Sequence, residues 1–237
     1  MYELNFNSEQ CWYKSVCEHF GNDEICNKRC IKYSEIDYLM YLSNIPKARQ
    51  QPFKLIPENE DVGAFTFLND IKKDIVNFVN KGENLYIFSN NFGNGKTSWA
   101  IKIMQEYFHR IWYGNRYRCR GLFIFVPSFL ANLKRNMSNP IEDFSAFLDR
   151  ILEADLVIWD DIGANKLSDY DHTQLLTYID QRKLNLKSNI YTGNLNYDQL
   201  MNTVGARLTS RVWNDSTVVE LVGVDRRGTV YGSTPNP

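Results

Sequence analysis

The stretch Ser89-Asn90-Asn91-Phe92-Gly93-Asn94-Gly95-Lys96-Thr97 constrains this chain more than any other. It follows the apolar run Leu85-Tyr86-Ile87-Phe88 and precedes Trp99-Ala100-Ile101-Lys102-Ile103-Met104, so the local order is strand, small-residue loop, helix. The loop matches the phosphate-binding pattern G-x-x-x-x-G-K-[ST] at its last three positions. Gly93 and Gly95 let backbone N–H groups turn inward and approach a phosphate without Cβ interference. Lys96 is placed to reach the β- and γ-phosphates, and the Thr97 hydroxyl to hold Mg²⁺. The following helix directs its positive dipole end at the same anion. The expected nucleotide-binding residues are therefore Asn91, Phe92, Gly93, Asn94, Gly95, Lys96, Thr97 and Ser98. Asn90 stands where the first glycine of the pattern belongs. It is expected to keep the turn by adopting φ > 0, which Asn tolerates best after Gly. The plain alternative is a Gly/Asn turn with no ligand.

A length of 237 residues suits one large domain, or one domain with a small module. The net charge of −1 offers no global basic field, so a nucleic-acid site would have to be a local patch. No apolar run is long enough to span a bilayer, and the N-terminus lacks the basic and apolar regions of a secretion signal. A cytoplasmic protein with reduced cysteines is expected.

Four of the five cysteines, Cys11, Cys17, Cys26 and Cys30, fall near the N-terminus at a spacing of C-x5-C-x8-C-x3-C, among Trp12, Tyr13, Phe20 and Tyr33. So short a segment buries little core and would profit from a metal staple. Cys26 and Cys30 would share a helix face, with Cys11 and Cys17 closing a tetrahedral Zn²⁺ site and His19 as a substitute ligand. The alternative is four small buried thiols without metal. The expected division is a Cys-rich module over 1–42, a linker over 43–60 marked by Pro46 and Pro52, and a nucleotide-binding domain over 61–237.

Beyond the linker, Leu68, Ile71, Ile75 and Phe78 predict one amphipathic helix. A second strand over Leu122–Val126 is expected to end at Pro127, with Ser128 capping the next helix, which carries Phe129, Leu133, Lys134 and Arg135. Ile141–Leu152 and Ser168–Leu186 read as helices, as do the run from Tyr197 and the stretch Gly205–Trp213. Leu156–Trp159, Asn189–Thr192 and Ser216–Leu221 read as strands. Strands alternating with helices imply an α/β fold with a parallel sheet flanked by helices.

The apolar strand Leu156-Val157-Ile158-Trp159 ends in Asp160-Asp161, at the carboxyl edge where open α/β sheets bind ligands. Asp160 is expected to hold Mg²⁺, and Asp161 to orient and deprotonate an attacking water. Arg110, Arg116, Arg118 and Arg120, interleaved with Trp112, Tyr113 and Tyr117, could track a single nucleic-acid strand by charge and stacking. A solvated connection is the competing reading.

With these residues in place, the chain resembles the DnaC/DnaI-type helicase loaders of the AAA+ ATPases. The resemblance is carried by the Cys-rich front, Ser43-Asn44-Ile45-Pro46, Phe92-Gly93-Asn94-Gly95-Lys96-Thr97 and Gly121–Pro127. It also rests on Trp159-Asp160-Asp161-Ile162-Gly163, Tyr191-Thr192-Gly193-Asn194 and Gly205-Ala206-Arg207-Leu208-Thr209-Ser210-Arg211. It implies an AAA+ P-loop NTPase that hydrolyses ATP and loads a hexameric replicative helicase onto single-stranded DNA. Asn194 then resembles the residue that helps place the lytic water. Arg211, with Arg207 as rival, resembles an arginine finger acting on the neighbouring subunit in a self-assembled oligomer. The segment around Lys134 and Arg135 resembles those that contact single-stranded DNA. The chain departs from the AAA+ pattern in carrying Asp161 where Glu is usual. Only a short tail follows Arg211, implying a reduced lid in which Arg226 or Arg227 would be the second sensor. An IstB-type transposase-helper ATPase and a non-hydrolysing ATP-gated adaptor are the alternative functions.

Overall fold

The computed structural model describes residues 2, 4, 6–50, 54–114 and 118–224. Arg226 and Arg227, and Arg116 and Tyr117 of the arginine-aromatic stretch, lie outside the described residues. The five apolar runs form strands β1 (Asn84–Phe88), β2 (Gly121–Phe125), β3 (Leu156–Asp160), β4 (Ser188–Gly193) and β5 (Thr217–Glu220). They make one sheet in the order β2-β3-β4-β1-β5, with every neighbouring pair parallel.

Side chains alternate across a strand, and both sides of this sheet are covered, which is why its strands read as unbroken apolar runs. Leu85 and Ile87 pack on one face with Phe123, Ile158, Ile190 and Val219. Tyr86 and Phe88 pack on the other with Leu122, Ile124, Val157, Trp159 and Tyr191. The first face is covered by α1 (Ile31–Leu42), α2 (Val62–Lys73), α3 (Ile75–Asn80) and α4 (Lys96–Ile111). The second is covered by α5 (Val126–Ser138), α6 (Phe144–Glu153), α7 (Asp169–Leu184) and α8 (Tyr197–Thr209). The expected three-layer α/β architecture is the observed one.

The centre of the first face is α4. Its stripe of Trp99, Ile103 and Tyr107 is buried, with the Trp99 ring edge-on to Phe65 at 4.9 Å. A Cβ at Gly121 would stand 2.8 Å from the Phe108 ring, so glycine is what lets β2 lie this close to α4.

Several boundaries differ from the sequence expectation. The Leu68–Phe78 stripe is split at Asp74 (φ −102°, ψ 21°), whose carboxylate accepts from the Asn77 amide at 2.6 Å. Such local side-chain bonding competes with helix continuation, yet both pieces cover the same face. Pro127 does not stop a strand ahead of a Ser128 cap. Helix α5 already starts at Val126 with proline in its first turn, where a missing N–H costs nothing. The helix expected from Ile141 begins at Phe144. The separate helix expected over Gly205–Trp213 is the end of α8, kinked at Gly205 (φ 81°), and runs on into a π turn, Ser210–Asn214.

Helix α1 shares the sheet's core through Ile36, Leu39 and Met40. The following segment is laced to the edge strand. The Phe123 N–H donates to the Ser43 carbonyl at 2.7 Å, and the Asn44 amide donates to the Phe123 carbonyl at 3.2 Å. Among the described residues up to Cys30 none is fully buried; they form turns and one short 3-10 helix, Ser8–Gln10.

Candidate functional site: a phosphate loop facing two carboxylates

The strand order sets β3, β4 and β1 side by side. Their carboxyl ends deliver Asp160 and Asp161, then Asn194, then the 89–97 loop to one cleft. This cavity of about 530 Å³ is lined by Phe92 to Ser98, Asp160, Asp161, Thr192 and Asn194, together with Phe125 and Arg49.

The loop turns through Gly93 (φ 68°) and Gly95 (φ 102°). Asn90 does not take the positive φ expected of it; the two downstream glycines carry the left-handed turns. No side chain caps the N-terminus of α4, which leaves its first N–H groups for an anion. Lys96 is 8 % exposed, and its Nζ donates to the Asn91 carbonyl at 2.8 Å and to Asn94 Oδ1 at 3.1 Å. Asn94, itself buried, donates to Ser89 Oγ at 2.5 Å and to the Leu221 carbonyl at 3.0 Å, tying the loop to the chain beyond β5.

Facing the loop, Asp160 is buried, and its carboxylate accepts from the Thr192 hydroxyl at 2.7 Å and from Thr97. Burial pushes its carboxyl above the usual range, and neighbouring Asp161 adds to this; the two threonine hydroxyls and the Arg49 charge pull the other way. A cation beside it would relieve that burial penalty. Thr97 and Asp160 thus fit the hard oxygen donors that Mg²⁺ takes.

Asp161 turns the chain sharply at φ 62°, and its N–H donates to Thr192 Oγ1 at 3.1 Å. Thr192 therefore holds both acids, a role the sequence reading did not assign. The Asn194 amide donates to Asp161 at 3.4 Å, and its own side-chain oxygen is buried without a hydrogen-bond partner among the described residues. A buried orphan acceptor beside a carboxylate suits a ligand or water between them. A Cβ at Gly193 would meet the Tyr86 hydroxyl at 2.7 Å, so only glycine lets β4 deliver Asn194 here.

Arg211 and Arg207 lie elsewhere, on a separate groove of about 370 Å³ with Asp180. Arg211 is paired with Asp180 at 2.5 Å and with Asp215 at 3.8 Å. The Arg207 side chain is exposed and has no ion pair among the described residues. Two arginines of the nucleic-acid stretch are engaged internally, Arg110 with Glu106 at 2.7 Å and Arg120 with Asp155. Lys134 pairs with Asp171 at 2.7 Å.

The cysteines do not form the expected Zn²⁺ site. All four are free and half-buried, and among the described residues no three His, Cys, Asp or Glu side chains gather as a metal requires. Cys30 stands at the N-cap of α1, and Cys26 lies in a turn closed by its N–H on the Asn22 carbonyl, so the shared helix face does not exist. The thiols are near one another nonetheless: burial raises the Cys11 pKa, and Cys30, Cys17 and Cys26 add to it.

Fold and site together define a three-layer α/β domain with a phosphate-loop signature at the carboxyl end of β1. Solved structures share this architecture. One is described as the DnaC helicase loader (TM-score 0.59, 22 % identity, covering 70 % of this chain and 93 % of that one). Another is DnaI (TM-score 0.58, 19 % identity, 76 % and 93 %). A third is AMPPCP-bound DnaA from Aquifex aeolicus (TM-score 0.55, 18 % identity, 70 % and 47 %), of which this chain spans about half. At these identities the likeness establishes the fold. No protein-family model matches the chain, and no curated protein matches it. Among the described residues no helix is long and apolar enough to cross a membrane.

Proposed function

We propose that this chain is an ATP-dependent loader of a replicative DNA helicase, acting on single-stranded DNA at replication initiation. The observation that carries the nucleotide part is the convergence of Lys96, Thr97, Asp160, Asp161 and Asn194 in one cleft. The loader part rests on the breadth of the fold likeness to the DnaC structure, 93 % of whose length this chain spans. Lys96 and the α4 N-terminus would bind the phosphates, while Thr97 and Asp160 would hold Mg²⁺. When bound, Mg²⁺ would neutralise charge on the phosphate oxygens. Asp161 would take the proton of a water that Asn194 helps to orient. The Asp161 side chain is one methylene shorter than Glu, so turnover is slow.

Hydrolysis in an assembly would draw a cation from a neighbouring subunit. Arg207 is the better finger candidate, because its guanidinium is uncommitted whereas Arg211 is engaged by Asp180. The test is a mixing experiment. Lys96→Ala lacks a usable pocket, and Arg207→Ala lacks a finger. Each alone is expected to be inactive, and the mixture to regain ATP turnover, because loss of such a finger costs roughly 10³–10⁵ in rate. A dead mixture of Lys96→Ala with Arg207→Ala, alongside an active one with Arg211→Ala, would return the role to Arg211. Absence of ATP binding by the wild-type protein would end the reading altogether. Loading itself is tested by whether the purified helicase is retained on closed single-stranded DNA circles only when wild-type protein and ATP are both added.

A further inference from the structure

The nucleotide cleft contains a cation that the loop signature does not supply. Arg49 ends a single 3-10 turn, Lys47–Arg49, on the segment between α1 and α2. Its side chain is exposed and lines the same cleft as Phe125, Asp160, Asp161 and Asn194. Its charge reaches the Asp160 carboxyl. It has no ion pair among the described residues, so the fold makes no evident use of its guanidinium.

Its backbone, by contrast, is firmly held. Gln105, in the middle of α4 and only 6 % exposed, donates from one amide nitrogen to the carbonyls of Arg49 at 3.1 Å and Gln50 at 3.2 Å. The Gln50 amide donates to the carbonyl of buried Ile45 at 2.7 Å. A third tie comes from the N-terminal segment, where Trp12 Nε1 donates to the Gln50 carbonyl at 3.0 Å. The helix that carries Lys96 and Thr97 at its start therefore also positions this strap from its middle.

We propose that Arg49 reads the terminal phosphate of a nucleoside triphosphate bound in its own chain, and that its strap passes occupancy to the N-terminal segment through Trp12. The inference rests on the nucleotide-site reading above. The loop and the α4 N-terminus would wrap the inner phosphates, leaving the outermost one to Arg49 and to Asp160 and Asp161, which line the same cleft. A guanidinium fork matches phosphate geometry and gives a strong, charge-assisted contact. Gln105, Ile45 and Trp12 hold this main chain, so a pull on the Arg49 side chain is passed to the Gln50 carbonyl that Trp12 grips. Trp12 and Gln105 are positioning residues in this scheme.

The test is calorimetric titration of the full chain, with Mg²⁺, using ADP and a β,γ-methylene ATP analogue. Arg49→Ala, at an exposed position, is expected to fold normally and to lose ~10- to 100-fold in affinity for the triphosphate analogue, the range for a charge-assisted bond, with ADP affinity far less affected. Arg49→Lys should recover part of the loss. Trp12→Phe keeps an aromatic ring but removes the indole N–H, and should shift the triphosphate-to-diphosphate ratio the same way by ~2- to 10-fold. Hydrogen exchange over residues 8–30 should slow when the analogue binds wild type, and not when it binds Arg49→Ala. Unchanged triphosphate affinity in Arg49→Ala, or equal losses for both nucleotides, overturns the proposal. Exchange over residues 8–30 that is indifferent to the analogue in wild type overturns the link to the N-terminal segment. Lys96→Ala separates the two levels: if wild type binds no better than Lys96→Ala, the nucleotide site itself fails. If wild type binds and Arg49→Ala binds equally, only the role of Arg49 fails.

Discussion

The sheet and the N-terminal segment are held by different means. Every residue of β3 and β4 is buried, and each face of the sheet has its own apolar cluster. The segment up to Cys30 has no fully buried residue among those described and leans on its neighbours through rings. Trp12 lies against Tyr33 at 5.4 Å, Tyr13 against His109 at 5.1 Å, and Phe6 against Tyr33 at 4.8 Å. Lys32 lies over the Tyr13 ring at 3.4 Å. Such contacts contribute about 0.5–1.5 kcal/mol each, and opening such a segment exposes little apolar surface. The sheet should unfold globally and the segment locally. That makes the segment the part able to respond to a ligand held by α4.

The largest expected effect lies under the sheet. Arg182 is fully buried and donates to the carbonyls of Ile151, Ala154 and Ser188 and to Asn189 Oδ1, at 2.6–2.7 Å. Burial lowers its pKa to about 9. Arg182→Ala would strand these acceptors and is expected to cost about 3–5 kcal/mol of global stability by urea denaturation, the scale for breaking a buried charged network. Trp12→Ala should shift the same transition far less. Equal costs would mean that the segment and the sheet unfold as one unit.

Within the core the nucleotide site is the exception, because it stores a penalty. The folded-state pKa of Asp160 is raised above its ordinary 3.8 by burial. The unfolded chain therefore loses this proton first, so the stability associated with the protonated carboxyl is full below 3.8 and declines as pH rises through the folded pKa. At neutral pH, Asp160→Asn should stabilise the nucleotide-free protein, on the order of 2–4 °C in Tm if about 1 kcal/mol is relieved in a domain of this size. Under the proposed function, the same variant should lose the further stabilisation expected from adding Mg²⁺ and ATP to the wild type. A lower Tm for Asp160→Asn would show that the hydroxyls of Thr97 and Thr192 compensate the burial fully.

The smallest effect belongs to the seam between the two regions. His109 on α4 packs against Trp12 and Tyr13, with Nε2 buried and without a hydrogen-bond partner among the described residues. Burial lowers its pKa to about 4; Glu106 opposes this, while Lys32, Arg110 and Lys102 reinforce it. Between about 6.5 and 4 the released, hydrated imidazole binds a proton that the packed one does not. Docking of the segment should therefore weaken as pH falls through that window. Limited proteolysis within residues 8–30 should accelerate at pH 5 relative to pH 7.5, and His109→Phe should flatten the difference. A protease rate that tracks pH equally in His109→Phe would place the sensitivity elsewhere.

Much of the site could be read before any coordinates. Lys96 and Thr97 close the loop that follows one apolar run, Asp160, Asp161 and Asn194 stand at the ends of two others, and parallel strands send such ends to one edge. Thr192 was in view as part of Tyr191-Thr192-Gly193-Asn194, but nothing in the pattern says that one hydroxyl holds both acids. Arg49 carried no signal, since it sits in the run Lys47-Ala48-Arg49-Gln50-Gln51 between Pro46 and Pro52, which has no apolar periodicity. The pairing of Arg211 with Asp180 joins the π turn after α8 to α7 across 31 positions, and no local spacing encodes that.

By itself the sequence determined the backbone: which runs become strands buried on both faces, where glycine permits the loop to turn, and which acids stand at strand ends. These are local properties of period, φ and side-chain volume, set within a few residues of each other. Tertiary structure alone decided which charges are committed and which are free. It tied Arg211 and Lys134 to carboxylates, and left Arg207 and Arg49 unpaired among the described residues. A charge's partner depends on distances between elements far apart in the chain, and only the packing of helices on the sheet sets those distances.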